Sequence, residues 1–151
     1  MISPSDLGPG SPVQSCFVED VEPWLVERIS EDPTILGLGD LDLKRASWRS
    51  RHVSLLLENP AESALYVLEL QLGPTDDRHI IRLVERWDAT RKRHWSNRCL
   101  ALLVAEQIAS RYLNVLQLIS KAVPVAFREI RVAEAAGATT LGFAPVRLQL
   151  R

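Results

Sequence analysis

Apolar residues recur at helical spacing at Val21, Trp24, Leu25 and Ile29, so Glu19 to Asp32 reads as a helix that Pro33 stops. Gly37 and Gly39 open a turn, and Leu41 to Leu43 begins a short strand. The polar, basic segment Lys44 to Arg51 reads as a loop or strand end with Trp48 partly covered. Val53 to Glu58 and Leu65 to Leu72, joined across Asn59-Pro60-Ala61-Glu62-Ser63, read as a β-hairpin. Gly73-Pro74-Thr75-Asp76 ends the second strand and supplies a cap for a helix from Asp76 to about Lys92, with Ile80, Ile81, Val84 and Trp87 as its inner stripe. The continuous apolar run Leu100 to Ala105 has the pattern of a buried central strand. Ile108 to Ser120 repeats Ile108, Tyr112, Val115 or Leu116, and Ile119 along one helical face. After Pro124 an extended stretch runs from Val125 to Val132, Gly137 turns the chain, and Thr139 to Leu148 returns as a last strand. Helix, hairpin, helix, strand, helix, hairpin is an α/β order.

Composition narrows the class. The chain has 151 residues, which suits a single domain: a flexible Pro/Gly/Ser-rich segment over residues 1–18 and a globular domain over 19–151. Hydrophobic residues at 46% and charged residues at 25% are ordinary for a globular protein. The N-terminus lacks the basic start and apolar run of a signal peptide, and no run is long enough to span a bilayer. Cys16 and Cys99 form no CxxC pair and read as free thiols in a reducing compartment. The expectation is a cytoplasmic protein away from membranes. A net charge of -1 conceals an asymmetry: eight acids face one arginine between Glu19 and Asp42, whereas seven basic residues face two acids between Arg78 and Arg98. That distribution suits an acidic site beside a phosphate-binding surface, and it equally suits solvated helix faces.

The chemistry concentrates in Leu68-Glu69-Leu70-Gln71-Leu72. Alternation puts the three leucines on one face of the strand and Glu69 with Gln71 on the other. A carboxylate and an amide inside an apolar strand need partners, unless the strand is an edge whose polar face meets water. Such a pair could hold Mg²⁺ through the carboxylate and orient a water or phosphate through the amide. In a hairpin whose register aligns, Ser54 of the preceding strand meets them.

A strand with Asp, a turn, and a strand with Glu-x-Lys form the core of the PD-(D/E)XK nuclease superfamily, and this chain resembles it, more narrowly a group of bacterial proteins with a Glu-x-Gln variant. The resemblance is carried by Ile29-Ser30-Glu31-Asp32-Pro33-Thr34-Ile35-Leu36-Gly37-Leu38-Gly39-Asp40-Leu41, by Leu68-Glu69-Leu70-Gln71-Leu72-Gly73, by Thr75-Asp76-Asp77-Arg78-His79-Ile80-Ile81-Arg82, by Trp87-Asp88 with Arg91-Lys92-Arg93, and by Val104-Ala105-Glu106-Gln107-Ile108 through Val115. It implies a restriction-endonuclease-like mixed central sheet flanked by helices, with Mg²⁺ (or Mn²⁺) as cofactor if the protein is active. Glu69 then matches the metal-binding Glu, and Gln71 takes the usual Lys position. Ser54 in Arg51-His52-Val53-Ser54-Leu55-Leu56-Leu57 stands where relatives carry the metal-binding Asp. A neutral hydroxyl is a weak ligand for a hard dication, so this replacement impairs metal-dependent cleavage. Glu27 or Glu31, at i and i+4 on the first helix, could supply the missing charge, because relatives often place a Glu of that helix near the metal; both also fit a solvated face.

Arg78, Arg82 and Arg86 repeat at i+4, and Arg91, Lys92 and Arg93 extend the charge; the stripe suits a phosphate backbone or a solvated face with Glu85 and Asp88 as partners. His79 could touch a phosphate or sit structurally beside Asp76. Trp24 and Trp87 read as core and Trp95 as a lid on the sheet edge, with base stacking as its alternative. The combined expectation is a nuclease-fold protein acting on or binding nucleic acid, DNA first, with impaired phosphodiester hydrolysis. The alternative is an inactive module for protein interaction or oligomer assembly, a homodimer included.

Overall fold

In the computed structural model, which describes residues 21–135 and 138–147, one six-stranded mixed sheet runs in the order β1-β2-β3-β4-β5-β6. The strands are β1 (Asp42–Arg49), β2 (His52–Asn59), β3 (Ala64–Pro74), β4 (Arg98–Gln107), β5 (Val125–Ala135) and β6 (Ala138–Pro145). Three helices join them: α1 (Val21–Glu31) before β1, α2 (Asp77–Arg93) between β3 and β4, and α3 (Leu113–Ser120) between β4 and β5. β1, β2 and β3 form an antiparallel meander, β3, β4 and β5 run parallel, and β6 returns antiparallel to β5. Parallel neighbours require a crossover, which is why α2 and α3 follow β3 and β4. The expected lead-in over 1–18, the start of the first helix at Glu19, Cys16 and the turn at Gly137 lie outside the described residues.

Helices cover both faces of the sheet. On one side Val21, Leu25 and Ile29 of α1 and Leu36 of a 3-10 turn (Pro33–Leu36) pack with Leu57, Leu68, Leu70, Leu102 and Val104. On the other, Ile80 and Leu83 of α2 and Leu116 of α3 pack with Leu103, Ala105 and Phe127. β3 and β4 therefore lie in the middle of three layers, and β3 is buried on both faces from Ala64 to Leu72.

Four sequence expectations change. Lys44 to Arg51 is mostly strand: β1 pairs along β2 as the edge of the sheet, and its polar character follows from that exposed position. The inner stripe of α2 is rotated from the one expected, with His79, Ile80 and Leu83 buried and Ile81 56% exposed. Ile80 and Leu83 pack with Leu103, Ala105 and Phe127, while His79 bonds the Glu69 carbonyl and Arg86 pairs with the Glu69 carboxylate, and these contacts fix the rotation of the helix. The helix expected from Ile108 is a 3-10 turn (Ser110–Tyr112) leading into α3, and Ile108 precedes both. Trp95 is 85% exposed and covers no sheet edge, whereas the Trp87 indole N–H donates to the Cys99 carbonyl at 2.8 Å.

Candidate functional site

Register builds the site. Antiparallel pairing sets Ser54 of β2 opposite Glu69 of β3, and Ser47 of β1 opposite Ser54. Residues directly opposite share a face, so Ser47, Ser54 and Glu69 form one row beneath α2. Neighbouring rows on that face are Arg49, His52 and Gln71 on one side and Arg45, Leu56 and Val67 on the other. Gly73, at φ +85°, bends the end of β3 where a side chain would strike the Arg51 guanidinium. Three residues later Asp76 caps α2, its carboxylate accepting from the His79 backbone N–H at 2.9 Å. These two steps set the angle at which α2 crosses back over Glu69.

The Glu69 side chain is fully buried. Its Oε2 accepts from the Ser54 hydroxyl at 2.9 Å, and Arg86 Nε of α2 lies 2.9 Å from Oε1. The Arg86 N–H is not well aimed, so Oε1 gains a counter-charge without a well-formed hydrogen bond. Burial pushes the Glu69 carboxyl above its ordinary range, while Arg86, the Ser54 hydroxyl and Arg82 pull it down. Four of the five buried side-chain polar atoms without a hydrogen-bond partner among the described residues belong to Glu69, Gln71, Thr75 and His79. Incomplete polar satisfaction is thus concentrated along one side of α2.

His79 is fully buried as well, and its Nε2 lies 2.9 Å from the Glu69 carbonyl oxygen. Nε2 therefore carries the hydrogen, and Nδ1 is left as the unpartnered acceptor. Burial pushes this imidazole down to about 4, with the Glu69 carbonyl and Asp76 opposing, so the ring is neutral at pH 7. Gln71 donates from Nε2 to the Pro74 carbonyl at 2.8 Å. The Arg82 guanidinium lies 2.9 Å from His52 Nδ1, and burial followed by the Arg82 charge lowers the His52 imidazole.

The remaining sequence candidates fall in different places. Glu27 and Glu31 are on the exposed side of α1, ion-paired with Arg28 at 3.6 and 3.0 Å. α1 packs on the Leu68/Leu70 face and Glu69 points to the opposite one, so the sheet separates these carboxylates from Glu69. Arg91 and Lys92 both pair with Asp88, at 2.6 and 2.7 Å, and Arg91 also lies over the Trp87 ring. Arg78 is exposed on the first turn of α2. Arg82 and Arg86 reach the sheet, so the arginine stripe is only partly a solvated face. Arg93 lines a cavity of about 200 Å³ with Arg45, Arg86, His94, Ser54 and Glu69. The sequence reading missed Arg45, Arg49 and His52; the alternation Arg45-x-Ser47-x-Arg49 was the available signal, and a polar loop carries the same one.

Magnesium takes a near-octahedral set of oxygens that normally includes one or two carboxylates. Around Glu69 the chain offers one carboxylate and one hydroxyl, with a guanidinium against the free carboxylate oxygen. No three His, Cys, Asp or Glu side chains among the described residues come together in a metal-binding arrangement. The residues present do not fit a divalent ion. Burial raises the Cys99 thiol to about 11, with Arg91 opposing, so Cys99 is not a thiolate at neutral pH.

No protein-family model matches the chain, and no curated protein does. Among solved structures it is similar to EndoMS in its apo form, with a TM-score of 0.56 and 20% identity over 72% of this chain and 45% of that one. It is also similar to an EndoMS–dsDNA complex, with a TM-score of 0.54 and 17% identity over 72% of this chain and 44% of the other. The likeness is one of fold. The six-stranded mixed sheet flanked by helices is thus the restriction-endonuclease-like arrangement. The chain spans less than half the length of the structures it matches. No helix among the described residues is long and apolar enough to cross a membrane.

Proposed function

We propose that this domain binds the phosphate backbone of duplex DNA along the groove between the β1–β2 edge and α2, and that metal-dependent phosphodiester hydrolysis there is impaired. One observation carries the reading: Arg45 and Arg49 of β1 share a sheet face with the arginines that α2 directs toward it, Arg82 and Arg86. Glu27 and Glu31 of α1 belong to the other face, and Glu22 accepts from the Arg51 backbone N–H at the β1–β2 turn, so the wall formed by Arg45, Arg49, Arg82 and Arg86 is basic despite a net charge of -1. Guanidinium forks suit phosphate oxygens, and such contacts position a backbone without reading its sequence. The fold shared with EndoMS, which has been solved with dsDNA, supports duplex DNA as the partner.

Fluorescence anisotropy with a labelled duplex, in chelator and at several salt concentrations, tests the binding claim. Replacing Arg49 and Arg82 together by Gln is expected to weaken binding and to lower the slope of log K against log salt by about two. An unchanged slope rejects the groove. For the metal claim, Arg86 is the obstacle and Ser54 the missing charge. The double variant Ser54→Asp/Arg86→Gln is expected to bind Mn²⁺ in calorimetry where the wild-type protein does not. Cleavage of plasmid DNA by the wild-type protein with Mn²⁺, abolished by Glu69→Ala, rejects the impaired reading.

A second reading, a protein-interaction module, has its own observation. Ile80, Ile81, Val84, Val115 and Ile119 line an apolar groove of about 530 Å³ between α2 and α3, with Ile81 and Val115 56% and 45% exposed. Sedimentation that is unchanged by Ile81→Glu counts against self-association through it.

A further inference from the structure

The cavity beside Glu69 has a lining that backbone binding alone does not explain. Three guanidiniums border it, from Arg45, Arg86 and Arg93, and the His94 imidazole joins them. Glu69 is the one carboxylate in the lining among the described residues, and Arg86 already faces it at 2.9 Å. Neither Arg45 nor Arg93 meets a carboxylate within ion-pair range among the described residues, although Asp88 lies on the same helix. Asp88 is held by Arg91 and Lys92, at 2.6 and 2.7 Å, which leaves Arg93 uncompensated. Three positive charges less one negative leave a surplus of two around a cavity of about 200 Å³. Ser47, Ser54 and Thr90 place hydroxyls in the same wall. Like charges in excess around a cleft repel one another unless an anion joins them.

Size and charge then select the anion. Pockets that enclose a drug-sized ligand run from roughly 300 to 1,000 Å³, so this cavity is too small for a whole nucleotide and has room for a tetrahedral oxyanion. A backbone phosphodiester carries a single charge, whereas a phosphomonoester carries roughly 1.5 to 2 negative charges at pH 7 and three strong acceptor oxygens. We infer that the cavity is a site for a phosphate group carrying more than one negative charge, either the terminal phosphomonoester of a nucleic-acid strand or free inorganic phosphate. Arg45 and Arg93 hold its oxygens in forked hydrogen bonds, and Arg86 neutralises Glu69 beside it. Only the choice of a strand end as the source rests on the nucleic-acid reading above.

The test is calorimetric titration of the full chain with inorganic phosphate in the presence of chelator. Saturable one-site binding is expected, weakened by about tenfold or more in Arg45→Gln/Arg93→Gln and unchanged in Lys121→Gln, a basic residue outside the cavity lining. Both arginines of the double variant are exposed, and circular dichroism verifies that it folds. In a second arm, short duplexes with 5′-phosphate, 3′-phosphate or only hydroxyl ends are compared by anisotropy. Tighter binding of one phosphorylated end, lost in the double variant and competed by inorganic phosphate, supports the site with a strand end as ligand. If inorganic phosphate binds and the variant loses it while no duplex binds, the site stands as a free-phosphate site and the nucleic-acid reading falls. If duplexes bind without end preference and phosphate shows no saturable binding, this inference is overturned and the nucleic-acid reading stands. Equal phosphate binding by wild type and variant also overturns it.

Discussion

The two faces of β3 lie under different helices and do different work. Toward α1, Leu68, Leu70 and Leu72 enter an apolar cluster in which Leu25, Ile29 and Leu36 are fully buried. Toward α2, Glu69, Gln71, Thr75 and His79 are equally withdrawn from water but keep polar atoms without partners. Both faces are closed, so burial alone does not distinguish core from site. Completeness of satisfaction does. Among the described residues the α1 side keeps a single unpartnered buried polar atom, Arg28 Nε, whereas the α2 face retains four and an off-axis ion pair. A core that bears no chemistry could replace such groups by apolar ones at little or no cost in stability.

That contrast is broken or sharpened by substitution on each face, beginning with the largest effect. Leu70→Ala opens a cavity in the α1 cluster and is expected to cost about 2 to 5 kcal/mol in urea denaturation. A loss below about 1 kcal/mol would mean that the α1 face is not the stabilising one. Next comes acid sensitivity from the α2 face. The His79 imidazole falls from an ordinary 6.5 to about 4 on folding, so the unfolded chain binds the extra proton between those values. The stabilisation from neutral His79 is therefore fully present above pH 6.5 and lost as pH falls toward 4, by about 3 kcal/mol in total. His79→Gln, whose amide can still donate to the Glu69 carbonyl, is expected to flatten that part of the stability–pH profile. An unflattened profile assigns the acid sensitivity elsewhere.

The smaller effects concern the ion pair. Arg86→Gln leaves a buried carboxylate without its counter-charge and is expected to cost about 2 kcal/mol at neutral pH. Glu69→Gln leaves the half-exposed Arg86 solvated, and is expected to change stability by less than about 1 kcal/mol. Its effect depends on pH in the opposite sense to that of His79. The folded Glu69 carboxyl is raised above 4.5, so the native state holds the proton more firmly and loses stability as pH rises through the folded value. Glu69→Gln removes that loss, and its benefit is expected to grow with pH in paired denaturation series. Equal costs for the two substitutions would show that Glu69 is not the strained partner.

Much of this arrangement is legible along the chain. Alternation in Leu68-Glu69-Leu70-Gln71-Leu72 separates the apolar face from the polar one, and Asn59 to Ser63 marks the turn that brings Ser54 toward Glu69. Asp76 was readable as the cap of α2, because the turn residues before it cannot continue a strand. The edge strand was not readable. β1 is polar because one side of it faces solvent, and a half-exposed strand of Arg, Ser and Lys carries the same local signal as a loop. With β1 taken as a loop, Arg45 and Arg49 could not be placed beside Arg82 and Arg86.

The sequence by itself determined the α/β order, the hairpin that carries Ser54 toward Glu69 and Gln71, and the charge segregation, because all three follow from period, turn chemistry and composition; the register that sets Ser54 opposite Glu69 came from the structure. Only the tertiary structure decided which residues meet Glu69. Helix α2 is amphipathic over a wide arc, and its rotation about its own axis is set by the sheet beneath it, which draws His79, Leu83 and Arg86 inward where the sequence pattern favoured Ile81 and Val84. In the same way, the sheet lies between Glu27 or Glu31 and Glu69, a separation that helical spacing cannot reveal because it depends on which face α1 covers.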